Sequence, residues 1–308
     1  MKIVVVGPGA MGCLFSYFLS KAGEDVWLLD KHQERVNKLS KDGIIIEGIS
    51  GNHVVHVNQT TDTKDIGTAD LIIICVKAYD TEKATNDVLS IIGEDTCLIT
   101  LQNGSGNVEA ISGIAGEDKV LGGTTSQGAT VLGPGHIRHA GRGETTIGEL
   151  DGRLSERVNT ISGIFNSACI ETKVTDDVEG LIWSKLIINV GINALTAVLR
   201  LKNGELVQYE RAREILKVAV EEGVSVAKAR GIELAYDDPV KKVEDVCRAT
   251  ATNISSMLQD VLKAKKTEID FINGAIVEEG KRVGISVPAN NILTGLLKSI
   301  EMSYEKRL

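Results

Sequence analysis

Ile3-Val4-Val5-Val6-Gly7-Pro8-Gly9-Ala10-Met11-Gly12 decides how the rest of the chain is read. Four β-forming apolar residues run directly into Gly-x-Gly-x-x-Gly, and Ala10 to Ala22 continues in a helical pattern. In that context each glycine has a separate task. Gly7 permits a tight turn, Gly9 lets backbone approach a pyrophosphate, and Gly12 permits close helix–strand packing. The first N–H groups of the helix then face the phosphates. Gly7, Pro8, Gly9, Ala10, Met11 and Gly12 are therefore candidate dinucleotide-binding positions, with a purely structural glycine turn as the plainer alternative. A second strand, Asp25 to Asp30, ends on a carboxylate placed to bond the ribose hydroxyls of NAD. Lys31 follows and can instead meet the extra phosphate of NADP, so the two residues point to different cofactors. In the plainer alternative Asp30 caps the next element and Lys31 faces solvent.

The pattern continues outward from this unit. Val36 to Leu39 belongs to a second, more polar helical stretch. Leu71 to Val76 is almost wholly apolar, as a strand buried on both faces should be, and Thr96 to Leu101 and Val120 to Thr125 read the same way. Strand–helix alternation of this kind predicts a doubly wound, Rossmann-like α/β sheet. Lys77-Ala78 and Asn103-Gly104-Ser105-Gly106 follow two of its strands, at the carboxyl ends where ligands of such sheets bind. As a bare motif, Asn103-Gly104 is also an ordinary turn. Between Gly122 and Glu149 glycine is frequent, and Thr130–Leu132, His136–His139 and Thr145–Gly148 read as short antiparallel strands extending one edge of the sheet.

From Thr175-Asp176-Asp177, a good helix start with acidic residues in the first turn, the text becomes helical. Patterns run over Val178–Leu199, Asn203–Arg230, Val240–Lys265 and Glu268–Val283, punctuated by Gly231, Pro239 and Pro288. The expected organisation is an α/β domain over residues 1–174 and an all-α domain over 175–308. A chain of 308 residues suits two domains.

Charge and composition exclude several classes. With 34 basic and 42 acidic side chains the net charge is −8, which argues against general nucleic-acid binding. Cys13, Cys75, Cys97, Cys169 and Cys247 are odd in number and far apart, without a Cys-x-x-Cys pair. They are expected to be reduced, buried thiols of a cytoplasmic protein, with no metal site. No uninterrupted apolar run approaches the roughly 20 residues of a membrane helix. Lys2 and the run behind it imitate a signal peptide, but the run reaches Gly7 after only four residues.

Lys185, Asn189 and Asn193 stand at i, i+4 and i+8, on one face of a helix that is otherwise apolar. A buried lysine and two amides need partners, which a polar substrate or an amide ladder between helices would supply. A second polar stripe, Asn253, Ser256, Asp260 and Glu268, shares one face if its helix runs uninterrupted. Lys263, Lys265 and Lys266 beside it read as a solvated face. Keto reduction needs a proton for the forming alkoxide, which Lys185 can donate, and donors for a substrate carboxylate. Glu268 can orient Lys185, or bond a ribose or substrate hydroxyl.

These features together resemble the ketopantoate reductase family. The likeness rests on Gly7–Gly12, Val76-Lys77-Ala78, Gln102-Asn103-Gly104-Ser105-Gly106, Trp183-Ser184-Lys185-Leu186 through Asn189 and Asn193, and Asn203-Gly204-Glu205-Leu206. Its most specific parts are Asn253-Ile254-Ser255-Ser256-Met257-Leu258-Gln259-Asp260 and Thr267-Glu268-Ile269-Asp270-Phe271-Ile272-Asn273-Gly274. The resemblance implies NADPH-dependent reduction of 2-dehydropantoate to (R)-pantoate, on the route to pantothenate and coenzyme A. It implies Lys185 as proton donor, supported by Glu268. It places Asn103, Asn189, Asn193, Asn203 and Ser256 on the substrate, with Asn253 close by, and Lys77, Asn103, Ala129 and Glu268 on the cofactor side. Two positions depart from the family's pattern: Asp30-Lys31 stands where an Arg often grips the 2′-phosphate, and Ala194 where relatives can have Pro. Lys supplies the charge but not the bidentate fork, so NAD(H) is the second cofactor expectation. The rivals are an NAD-dependent D-2-hydroxyacid dehydrogenase acting on another branched 2-keto acid, and a nucleotide-sensing module without turnover. The partners expected are a small 2-keto acid and, through apolar surface on the helical half, a second copy in a homodimer; nucleic acid and membrane are not.

Overall fold

The computed structural model describes residues 1–306. Contacts divide the chain into two compact units: Met1–Gln102 with Asn107–Val178, and Asn103–Gly106 with the chain from Glu179 onward.

The first unit alternates β1 (Lys2–Val6), α1 (Ala10–Lys21), β2 (Asp25–Leu29) and α2 (Gln33–Asp42), then β3 (Ile44–Gly48), β4 (His53–Val55) and β5 (Asn58–Thr60). It continues through β6 (Ala69–Ile74), α3 (Thr81–Asp87), β7 (Ile92–Thr100), α4 (Asn107–Ala115) and β8 (Val120–Thr125). β9 (Gly128–Gly133), β10 (His136–Gly141), β11 (Thr145–Glu149), α5 (Glu156–Ser167) and β12 (Thr172–Val174) complete it. The main sheet has the order β12-β11-β8-β7-β6-β1-β2-β5, parallel except where β11 runs against β8. Its central strands read as continuous apolar runs because both faces are covered. Ile3, Val5, Leu71, Ile73, Cys97 and Ile99 enter the core that holds Phe15 and Phe165. The alternate residues Val4, Val6, Ile72, Ile74 and Leu98 enter the opposite core.

The edge is not built as the sequence suggested. Only β11 of the three short strands joins the main sheet. β9 and β10 form a second sheet of order β4-β3-β10-β9, in which β10 runs parallel to β3 with Ile137 opposite Ile46. Ile46 and Ile137 point the same way into the core beneath α1, so pairing with β3 buries both. The expectation for the thiols also needs one correction: Cys13, Cys97 and Cys247 are buried, but Cys169 is exposed, just past the end of α5 with φ 60°.

The second unit is helical: α6 (Val178–Leu199), α7 (Glu210–Ala229), α8 (Pro239–Ala249), α9 (Ser256–Leu262), α10 (Asn273–Val283) and α11 (Pro288–Met302). Its core gathers Trp183, Leu186, Ile187 and Val190 of α6 with Leu216, Val220, Val243, Ile276 and Leu297. By length and composition α6 could cross a membrane, although polar residues interrupt its apolar run; 67% of its most apolar window is buried within the protein.

Three predicted helices are shorter than read, and in the first two long-range backbone bonds take the place of helical ones. Asn203–Val207 is a 3-10 turn, because Asn203 N–H donates to the Asn253 carbonyl at 3.1 Å and Gly204 N–H to that of Ala251 at 3.2 Å. The same loop, closed by the Ser255 hydroxyl capping Leu258 N–H at 3.1 Å, separates α8 from α9. α9 then ends before Ala264, whose φ is 49°, and a 3-10 turn at Ile269–Phe271 precedes α10. Asn253, Ser256, Asp260 and Glu268 therefore do not form a stripe on one continuous helix. α11, which the sequence reading did not assign, starts at Pro288, and Glu222 of α7 caps it by accepting from Ala289 and Asn290 N–H at 2.8 and 3.0 Å.

Candidate active site

In the first unit the glycine turn has a steric reason at each end. Gly7 holds φ 101°, and a side chain there would also meet Val76 Cγ1 at 2.8 Å. A Cβ on Gly12 would collide with the Gly7 carbonyl oxygen. Around Gly9 the nearest neighbour of a Cβ is the Cys75 carbonyl at 3.9 Å, so the missing side chain leaves open space beside the start of α1. That start has no side-chain cap and no acidic residue in its first turn. Positive helix-end potential, free of a local carboxylate, beside space kept by glycine fits a pyrophosphate.

The end of β2 differs from both sequence expectations. The Asp30 side chain is 2% exposed and is held by Arg35. Arg35 donates to it twice, through Nε and, at 2.5 Å, through Nη2, while His32 N–H donates at 3.2 Å. Asp30 is thus an anchor for a guanidinium from the first turn of α2, and this bond lifts the Arg35 pKa. Lys31 reaches Asp80 at 3.1 Å in an exposed pair. Arg35 escaped the sequence reading; its one signal is a cation five residues after the acidic end of β2.

Lys77 stands, in extended backbone, at the start of the short turn after β6. Gln102 ties that region to β7, donating to the Val76 carbonyl at 2.7 Å and the Thr81 hydroxyl at 2.9 Å. Ala129 lies on β9, opposite His139 of β10, in the smaller sheet.

In the second unit Lys185, Asn189 and Asn193 share one face of α6. Lys185 keeps part of its surface accessible, yet desolvation pulls its ammonium down to about 8, with the Glu268 carboxylate acting in the opposite direction. Glu268 itself is buried. Among the described residues three amide atoms of this unit are buried without a hydrogen-bond partner: Asn189 Nδ2, a donor, and the acceptors Asn203 Oδ1 and Asn273 Oδ1. The orientation of Asn203 is fixed. The Thr250 hydroxyl donates to the Val246 carbonyl at 2.7 Å and so can only accept from Asn203 Nδ2, at 2.9 Å.

Asn253 and Ser256 are both exposed. The buried serine is Ser255, whose hydroxyl bonds Thr196 of α6 at 2.7 Å. The Asn103–Gly106 turn belongs to this unit. Ser105 N–H donates to the Phe271 carbonyl at 2.9 Å, and a side chain on Gly104, with φ 90°, would meet that carbonyl at 2.5 Å. The structure thus brings Lys185 and Glu268 into electrostatic reach, and joins Asn203 to Asn253 through backbone.

Comparison with known proteins agrees with this geometry. The sequence model of "Ketopantoate reductase PanE/ApbA" matches residues 3–152, and that of its C-terminal domain matches residues 177–301. A 2-dehydropantoate 2-reductase of Pyrococcus horikoshii is 37% identical over 301 residues, covering 98% of each chain. The crystal structure of a PanE/ApbA family ketopantoate reductase from Ralstonia eutropha JMP134 superimposes with TM-score 0.92 at 32% identity, covering 99% of this chain and 100% of the other. A D-mandelate dehydrogenase in a ternary structure with NADH and anilino(oxo)acetate gives TM-score 0.93 at 28% identity, covering 100% of both chains. With the family matched over both units and across nearly the full length of its relatives, this chain belongs to the ketopantoate reductases, a family of nicotinamide-dependent oxidoreductases.

Proposed function

We propose that the chain reduces 2-dehydropantoate to (R)-pantoate with NADPH, using Lys185 as the proton donor. The observation that carries this reading is that, of the three orphaned amide atoms of the helical unit, two of opposite polarity, Asn189 Nδ2 and Asn203 Oδ1, belong to asparagines that the family resemblance assigns to substrate. An unmade hydrogen bond of this kind costs about 1–3 kcal/mol until a ligand completes it. The carboxylate of a 2-keto acid accepts from Asn189, and the C4 hydroxyl of 2-dehydropantoate donates to Asn203. A keto acid without that hydroxyl leaves Asn203 unsatisfied. Asn103, Asn193, Asn253 and Ser256 supply the remaining polar contacts to substrate.

When bound, the dihydronicotinamide supplies hydride to C2 of the ketone. Lys185 delivers a proton from Nζ to the oxygen that becomes the alcohol. Glu268 favours the charged ammonium against its desolvation, so the proton is in place below about pH 8. Gly7, Pro8, Gly9, Ala10, Met11 and Gly12 hold the pyrophosphate, with Lys77, Asn103, Ala129 and Glu268 on the cofactor side. The preference for NADPH follows from Asp30. Its carboxylate is 2% exposed and takes three bonds from Arg35 and a backbone N–H, which leaves little of it for ribose hydroxyls. Arg35 and Lys31, each of which also holds a carboxylate, are the cations that would meet a 2′-phosphate.

The test is initial-rate loss of absorbance at 340 nm with NADPH and NADH, on 2-dehydropantoate and on 3,3-dimethyl-2-oxobutanoate, which lacks the C4 hydroxyl. kcat/KM should favour NADPH, and deletion of the hydroxyl should cost about 10- to 100-fold, as an unpaired buried acceptor implies. Equal kcat/KM for the two keto acids sinks the hydroxyl subsite. NADH-driven turnover confined to aryl keto acids assigns the site to chemistry like that of the D-mandelate dehydrogenase.

A further inference from the structure

Glu268 stands on a segment that needs holding. α9 ends at Leu262, Ala264 two residues on is a non-glycine residue at φ 49°, and Lys265 N–H turns back to the Asp260 carbonyl at 2.9 Å. The chain then dives: Thr267, Glu268 and Ile269 are all buried. Two bonds from the end of α11 and the turn after it grip this stretch. Glu301 accepts the Thr267 N–H at 2.6 Å, and Tyr304 donates its hydroxyl to the Lys265 carbonyl at 2.8 Å. A third link, Lys298 to Asp270 at 2.6 Å, is an exposed ion pair and holds little.

We propose that Glu301, assisted by Tyr304, is a positioning residue for the reduction: it fixes the backbone of Thr267 and so keeps Glu268 within reach of Lys185. This rests on the assignment of Lys185 as proton donor. A carboxylate accepting a buried backbone N–H is a strong, directional anchor. Its loss frees the residue next to Glu268, and a misplacement of about 1 Å can cost on the order of 100-fold in rate. The charged groups of the segment and of the helix end facing it are Lys265, Lys266, Glu268, Asp270, Lys298 and Glu301. Of these, Glu268 is the one that acts on Lys185.

Three variants test the proposal in the full-length enzyme: Glu301→Ala, Glu301→Gln, which keeps an acceptor, and Lys298→Ala. Glu301→Ala should lower kcat about 10- to 100-fold with KM within about threefold. It should move the alkaline limb of kcat/KM to lower pH, because Lys185 loses its counter-charge, and speed hydrogen exchange at the Thr267 amide. Glu301→Gln should recover most of kcat, and Lys298→Ala should match wild type. Unchanged kcat and pH limb in a folded Glu301→Ala enzyme overturn the proposal. So does a loss of kcat that neither shifts the limb nor recovers in Glu301→Gln, which marks a merely structural role. If Glu301→Ala does not fold, Tyr304→Phe, which deletes one hydroxyl, must show the same limb shift and faster Thr267 exchange; a wild-type profile in it is equally fatal. Lys185→Ala run alongside separates the two claims: if it retains near-normal turnover, the assignment of Lys185 fails, whereas its inactivity beside a silent Glu301→Ala sinks the positioning role alone.

Discussion

Replacing Lys185 by Met should stabilise this enzyme while nearly abolishing turnover. Met copies the shape of the neutral amine without its polar head. In the native state Lys185 titrates at about 8 rather than 10.5, because desolvation penalises its charged form more than Glu268 favours it. At pH 7 that difference corresponds to about 3 kcal/mol carried by the folded protein. The sign follows from proton counting. Between pH 8 and 10.5 the unfolded chain binds more protons at this site than the native one, so wild-type stability rises with pH across that window. Below pH 8 the penalty is present in full, and above about 10.5 it is gone. Urea unfolding at pH 7 should therefore show Lys185→Met more stable by up to about 3 kcal/mol, with the gain fading towards pH 10.5. A variant that is less stable at pH 7, or whose gain does not change with pH, refutes the reasoning, since either result means the ammonium is not held at a desolvation cost.

Three further outcomes follow from the same geometry. kcat/KM for reduction should be level below pH 8 and fall about tenfold per pH unit above it, as the donor loses its proton, which a pH–rate profile in the reduction direction checks. Gly12→Ala should destroy cofactor binding, read by NADPH fluorescence titration, because its Cβ would overlap the Gly7 carbonyl. Arg35→Gln should raise KM for NADPH about tenfold or more and leave that for NADH nearly unchanged, since a lost charge-assisted bond to phosphate is worth about 1.5–3 kcal/mol; equal effects on both cofactors would make Arg35 a structural partner of Asp30 only.

What was legible in the sequence is what sterics and burial determine locally. Gly7 and Gly12 announce a turn that no side chain tolerates, and Leu71–Ile74 announces a strand covered on both faces. Lys185, Asn189 and Asn193 announce a polar face because helical spacing alone puts them there. The rest depended on partners far along the chain. β10 pairs with β3 about ninety residues away, and nothing in His136–Gly141 distinguishes that from pairing at the sheet edge. The breaks after Ala249 and at Asn203 arise from bonds that each segment makes to the other. Asp30 and Lys31 read as rival cofactor selectors until Arg35 is seen to hold Asp30. Ser255 and Ser256 are adjacent and chemically alike, and only the fold shows that Ser255 is the buried cap while Ser256 is exposed. α11, which supplies Glu301, is hard to read from sequence because a proline such as Pro288 can stop one helix or open the next, and here it opens one.

The central claim is that Lys185 supplies the proton for reduction of 2-dehydropantoate, and NADPH oxidation at 340 nm by wild type and Lys185→Ala tests it most directly. The account predicts ready turnover by wild type and a loss of about 10²- to 10⁴-fold in kcat for the variant, the range expected for a general acid, with NADPH affinity unchanged. Near-normal turnover by Lys185→Ala, with the cofactor bound as before, would contradict it.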